Sequence, residues 1–152
     1  MMRAITITVA GMAAATLAVG ATAAPAPAPK TLPNPELTAV QLIQRFENNL
    51  APNRARQLSA FLSRAFIIRR ADGTTANRAQ YLRNHPYYPD WQAKVYDAEY
   101  SAPVLTVSSV AWALSVPGAY NPGLFSFAWQ DGGWKLTGFA RFASQSTLPP
   151  AG

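Results

Sequence analysis

Cysteine is missing altogether from the 152 residues. Its absence excludes disulfides, a thiolate nucleophile, a zinc knuckle and a lipid-acylated cysteine, so packing alone must hold the fold. Histidine is nearly missing too. His85 stands alone, and with acids scattered along the chain there is no metal-ligand spacing. No Gly-x-Ser-x-Gly occurs, which removes the usual strained turn of a serine nucleophile. No metal and no cofactor are expected. Charged residues make up only 13% of the chain, against 11% aromatics, a balance that suits one compact domain rather than a disordered one. No internal repeat is evident.

The one long uncharged apolar stretch is N-terminal. Arg3 precedes it, residues 4–20 carry no charge, and Ala21-Thr22-Ala23 places small residues where a signal peptidase reads. Residues 1–23 are therefore predicted to be a cleavable signal sequence. The chain is then exported, periplasmic or secreted, with no transmembrane span after processing. An apolar run of about 17 residues sits at the lower limit for crossing a bilayer, so a retained anchor helix is the competing reading. Residues 24–33 alternate proline and alanine and predict an extended, semi-rigid linker. Residues 144–152 predict a disordered tail. The formal net charge of +6 favours solubility and weak attraction to an anionic envelope, without naming a partner.

Between linker and tail the hydrophobic period changes twice. Asn34-Pro35-Glu36 predicts a helix start, with asparagine as cap and proline in the first turn. The helix reaches about Leu50, with Ala39, Val40, Ile43, Phe46 and Leu50 inward and Gln41, Gln44 and Glu47 outward. A second helix is predicted over residues 54–62. A short strand follows at Phe66-Ile67-Ile68, then an Ala71-Asp72-Gly73 turn and a third helix over residues 76–83, capped by Thr75. Pro86 and Pro89 make the next segment irregular. Strands are predicted over residues 92–101, 104–116, 124–130 and 134–142, the last two joined by an Asp131-Gly132-Gly133 turn. Short connections imply antiparallel pairing.

This order, with particular passages, resembles the nuclear transport factor 2-like superfamily. Arg64-Ala65-Phe66-Ile67-Ile68 followed by Asp72-Gly73-Thr74 is similar to that family's passage from helix end to strand to aspartate-glycine turn. Residues 76–82 resemble the helix after it, and residues 127–136 resemble the closing hairpin with its glycine turn and tryptophan. The resemblance covers about residues 36–142 and implies an α+β domain over residues 34–143. In it, a strongly curved antiparallel sheet packs against about three N-terminal helices to form a cone around an apolar cavity. The superfamily includes isomerases, dehydratases and cyclases as well as binding and assembly domains, so the fold does not select a role.

Candidate site residues come in five groups. Asp97 and Glu99 share a strand face and could act as general base, with His85 as proton shuttle, if they line the cavity. Otherwise they are solvated acids and His85 is a loop residue. Tyr87, Tyr88 and Trp91 sit in the proline-broken segment and could form a lid. Tyr96, Trp112 and Phe127 are further aromatic candidates for contact with a ligand. Arg141 interrupts an apolar strand, and on a buried face it would need a carboxylate partner or an anionic ligand. Finally, Arg54, Arg56, Arg64, Arg69, Arg70, Arg78 and Arg83 crowd a stretch that contains one acid, Asp72, which reads first as a turn residue. A solvated basic face accounts for them better than nucleic acid, which an exported protein rarely meets. The leading expectation is a domain that binds a small apolar ligand or a protein partner in its cone without catalysis. The alternatives are an isomerase, dehydratase or cyclase using Asp97 or Glu99, and an interaction module that forms a homodimer through the sheet.

Overall fold

The computed structural model describes residues 24–150; the predicted signal sequence, residues 1–23, lies outside them. Asn34 caps helix α1 (Pro35–Asn49) as its side chain accepts from the Leu37 N–H at 2.9 Å. A single 3₁₀ turn, Pro52–Arg54, leads into helix α2 (Ala55–Phe61). Strand β1 (Leu62–Arg69) follows without a loop, then β2 (Thr75–Asn77) and helix α3 (Arg78–Arg83). Asn77, not Thr75, caps α3, in a reciprocal pair of bonds with Gln80. The Thr75 position is taken by pairing: β2 runs antiparallel to β1, with Arg69 opposite Thr75.

Strands β3 (Trp91–Ser101), β4 (Val104–Ala113), β5 (Asn121–Gln130) and β6 (Gly133–Arg141) complete one six-stranded sheet ordered β2-β1-β6-β5-β4-β3. The sheet is mixed rather than purely antiparallel, because β1 lies parallel to β6 with Ile68 beside Phe139 and Arg69 beside Ala140. Asp131 (φ 52°) and Gly132 (φ 77°) form the two-residue turn between β5 and β6, where positive φ matches the twist of the flanking strands. Register slips break the ladders in β1, in β3 between Val95 and Asp97, and between β5 and β6 near Phe127. The slip in β3 and that between β5 and β6 each leave one unpaired residue, and the slip in β1 sets residues 63–66 opposite Thr137 alone. Together they bend the strands and curl the sheet around the helices.

The core lies in that curl. Ala39, Leu42, Ile43, Phe46 and Leu50 of the first helix and its cap pack on Leu105, Val107, Phe125, Phe127, Leu136 and Phe139 of the sheet. Phe125 and Phe139 are cross-strand partners and stack with ring centroids 4.1 Å apart. Phe139 also explains Gly123, since a Cβ there would meet the Phe139 ring edge at 2.8 Å. The helix face differs from the predicted one at two places: Leu42 is fully inside, and Glu47 turns partly toward β3 rather than away from the protein.

Both flanks touch the domain. Leu32 packs against the core, Trp129 Nε1 donates to Ala26 O at 2.9 Å, and the Tyr100 hydroxyl donates to Pro29 O. At the other end Gln145 bridges Tyr120 by paired backbone bonds, and the Tyr96 hydroxyl reaches Pro149 O.

Candidate functional site

At one end of the curled sheet the ends of five elements surround a cavity of about 320 Å³. Its wall is apolar: Phe46 and Leu50 come from the end of α1, Ile68 from β1, Phe139 from β6, and Pro86 and Trp91 from the passage into β3. A cavity of this size lies at the lower end of small-molecule pockets, about 300–1,000 Å³.

The polar groups around it come from strand ends. Parallel pairing of β1 with β6 carries Arg70, one residue past β1, to the same end as Arg141, the last residue of β6. Both line the cavity. Asp72 stands at the same rim, where its Oδ1 accepts from the Thr74 N–H at 2.9 Å and from the Thr74 hydroxyl at 2.7 Å. Those bonds, with help from Arg70, hold Asp72 below the usual carboxylate range. Two guanidinium groups and one carboxylate thus line the cavity, which leaves an excess positive charge.

Tyr81 of α3 lies 97% buried between Phe66, Phe46 and the cavity. Burial pushes its phenol up, and the fields of Arg141 and Arg70 oppose that only in part. It therefore remains a neutral O–H, able to donate. Trp91 Nε1 is buried with no hydrogen-bond partner among the described residues, and its side chain lines the cavity. A buried N–H without an acceptor costs about 1–3 kcal/mol. Asn121 is spent on structure: its amide donates to Ala111 O and Ala119 O, and its Oδ1 accepts from Ser144. The polar groups left for a ligand are mainly donors, Arg141, Arg70, Tyr81 and Trp91, beside the second carboxylate oxygen of Asp72.

A smaller recess of about 150 Å³ adjoins the cavity, sharing Pro86, Trp91, Asn121 and Arg141 with it. Tyr88 and Trp112 line it, and the Tyr88 and Trp91 rings lie 5.7 Å apart. Tyr87 is exposed nearby in sequence. Of the predicted aromatic candidates, then, Trp91, Tyr88 and Trp112 gather with Arg141. Two do not. Phe127 is fully enclosed between Phe61 and Phe125 and is core. Tyr96 is the extra residue of the β3 bulge and turns to Pro149 on the other face of the sheet.

That bulge also decides the fate of the two acids. Strict alternation would put Val95, Asp97 and Glu99 on one face. The slip at Tyr96 instead leaves Val95, Ala98 and Tyr100 against the core, and Asp97 and Glu99 exposed. His85 is engaged elsewhere, its Nδ1 3.1 Å from Tyr81 O and its Nε2 3.1 Å from Leu50 O, so it clasps α3 to the end of α1. Asp97, Glu99 and His85 do not converge. The crowded arginines also disperse: Arg78 donates to Ser59, while Arg54, Arg56, Arg64, Arg69 and Arg83 point into solvent.

A second cleft, polar and about 340 Å³, lies between α1 and β3, and there Glu47 was missed by the helical periodicity. Burial raises its carboxyl to about 7, with no cation offsetting the desolvation. Between about pH 4.5 and 7 the folded state keeps a proton that the unfolded chain releases, so stability falls as pH rises through that window. Partial contact with solvent limits the effect to about 1–2 kcal/mol. Glu47→Gln is therefore expected to raise the Tm by about 3–8 °C at pH 8 and to change it little at pH 4, as read by thermal melts. An increment independent of pH would show that ionisation of Glu47 is not its cause.

Comparison with known proteins agrees with this architecture. No family model and no curated protein sequence matches the chain. Solved structures do match. A nuclear transport factor 2-like protein from Cytophaga hutchinsonii superposes with a TM-score of 0.63 at 13% identity, over 72% of this chain and 98% of that one. A domain of unknown function with a cystatin-like fold from Nostoc punctiforme gives 0.57 at 13% identity, over 78% and 81%. A de novo designed protein with a curved β-sheet gives 0.51 at 9% identity, over 70% and 98%. At such identities the likeness speaks for the fold and not for an activity. Three helices laid into an open, curved six-stranded sheet, with these structural neighbours, give this chain the cone fold of the nuclear transport factor 2-like superfamily.

Proposed function

We propose that this chain is an exported binding domain whose cone takes a small molecule with an apolar body and an anionic head, without catalysing a reaction. The single observation that carries the reading is the character of the cavity: an apolar wall closed by groups that donate, Arg141, Arg70, Tyr81 and Trp91. The body of the ligand would be held by burial, at about 25 cal/mol per Å² before ordering costs. A carboxylate head would offset the charge excess of the arginines and give the Trp91 N–H an acceptor, through charge-assisted bonds roughly twice as strong as neutral ones. Export rests on Arg3, the uncharged residues 4–20 and the small residues at 21–23.

The acid–base alternative requires a base and a proton shuttle within about 3 Å of one substrate, directly or through water. Exposed Asp97 and Glu99, and His85 held between Tyr81 O and Leu50 O, offer no such pair. Titration calorimetry with 4-phenylbutanoate and its neutral amide tests the proposal. The acid is expected to bind at least about 10-fold more tightly than the amide. Equal affinities would remove the anionic head from the account, and no binding of either would remove the pocket.

A further inference from the structure

The opposite end of the sheet carries a second arrangement, separate from the cavity. Trp129 on β5 pairs with Trp134 on β6, their rings edge to face at 5.6 Å and 87°. Tyr100 on β3 meets Trp134 the same way, at 5.9 Å and 75°. The three rings form a continuous aromatic strip, and across it lies the chain's own Pro25-Ala26-Pro27-Ala28-Pro29, which has no regular secondary structure. Two polar contacts fix the segment: the Trp129 indole N–H donates to Ala26 O at 2.9 Å, and the Tyr100 hydroxyl donates to Pro29 O. The accepting carbonyls are three residues apart.

That spacing carries the argument. A polyproline II helix has three residues per turn, so carbonyls at i and i+3 point to the same side, and alternating proline holds the segment near that conformation before it binds. Its backbone forms no internal hydrogen bonds, which leaves every carbonyl free for an external donor. A strip of aromatic rings with one indole N–H and one phenol O–H, set one turn apart, matches that geometry. Gly132 lets the segment come close, since a Cβ there would lie 3.3 Å from Ala26 N. Leu32 anchors the segment to the core beyond the strip, so residues 25–29 can leave the rings while the domain stays packed.

We propose that Tyr100, Trp129 and Trp134 form a polyproline II-binding groove, filled in this chain by residues 25–29 and open to a proline-rich extended segment of a partner protein that displaces them. The proposal does not depend on what occupies the cavity. A tethered segment competes at an effective concentration of about millimolar, so weakening it must expose the groove to a free peptide. The test follows the indole N–H signals of the ¹⁵N-labelled protein during titration with (Ala-Pro)₅ and, as a control, (Ala-Ser)₅. A variant with Pro25, Pro27 and Pro29 replaced by glycine is expected to bind (Ala-Pro)₅ at least about 10-fold more tightly than the native protein, with shifts at Trp129 and Trp134 and none at Trp91. Tyr100→Phe, which deletes one hydroxyl and keeps the ring, is expected to weaken that binding about 3- to 10-fold when introduced into the glycine variant. Equal affinity of the native and glycine proteins, equal binding of (Ala-Ser)₅, or shifts confined to Trp91 would each overturn the proposal. So would indole shifts that follow protein concentration without peptide, which would assign the groove to a second copy of this chain.

Discussion

Replacing Arg141 by glutamine should weaken binding of 4-phenylbutanoate about 10- to 100-fold while leaving its neutral amide nearly unaffected. Arg141 ends β6 at the cavity and also borders the aromatic recess beside it. Arg70 has Asp72 as a charged neighbour, and Asp72 is the one carboxylate among the described residues that line the cavity. The loss should therefore be largest at Arg141. Arg70→Gln should cost less, because the charge of Arg70 is already partly offset by Asp72 and Arg141 stays in place. Glutamine keeps much of the side chain's length and polarity, so the fold should survive and thermal melts should move by about 2 °C or less. Parallel loss of acid and amide binding would mean that Arg141 shapes the wall rather than reading the charge.

The largest effect on stability is expected at Phe46. Its ring is 3% exposed and meets Phe125 edge-on at 5.8 Å, Phe139 edge-on at 6.1 Å and Tyr81 at 6.3 Å. One side chain thus ties α1 to both the sheet and α3 while forming part of the cavity wall. Phe46→Ala should cost about 3–5 kcal/mol, since the stacked Phe125 and Phe139 rings cannot easily collapse into the space. A drop in Tm of about 10–20 °C, read by calorimetry, is the expected result. A loss under about 1 kcal/mol would show that the three elements do not depend on this ring. Phe46→Leu, which keeps most of the apolar volume, should retain a large part of the stability.

Much of the fold was legible because local chemistry and tertiary packing agree. Asn34-Pro35 starts α1, Asp131-Gly132 turns the last hairpin, and alternating Phe125 and Phe127 face the core as their period requires. What could not be read was non-local. Parallel pairing of β1 with β6 has no short turn to announce it, yet it alone brings Arg70 next to the end that holds Arg141. In the sequence Arg70 is one more member of a basic run. The bulge at Tyr96 has no glycine or proline to mark it, and one inserted residue is enough to turn Asp97 and Glu99 outward. Tyr81 was visible only as part of a helix, and its place at the cavity depends on α3 packing against β1 and Phe46. The proline-alanine segment showed its stiffness but not its seat, because Trp129 and Tyr100 lie about 70 to 100 residues further on.

The pocket itself is tested most directly by intermolecular nuclear Overhauser effects between bound 4-phenylbutanoate and the protein. Contacts from the phenyl protons to Leu50, Ile68 and Phe139, with the carboxylate end nearest Tyr81 and Arg141, are the predicted result. Contacts confined to Leu124 and Phe142, which are exposed on the other side of the sheet, would place the ligand outside the cone and contradict the account.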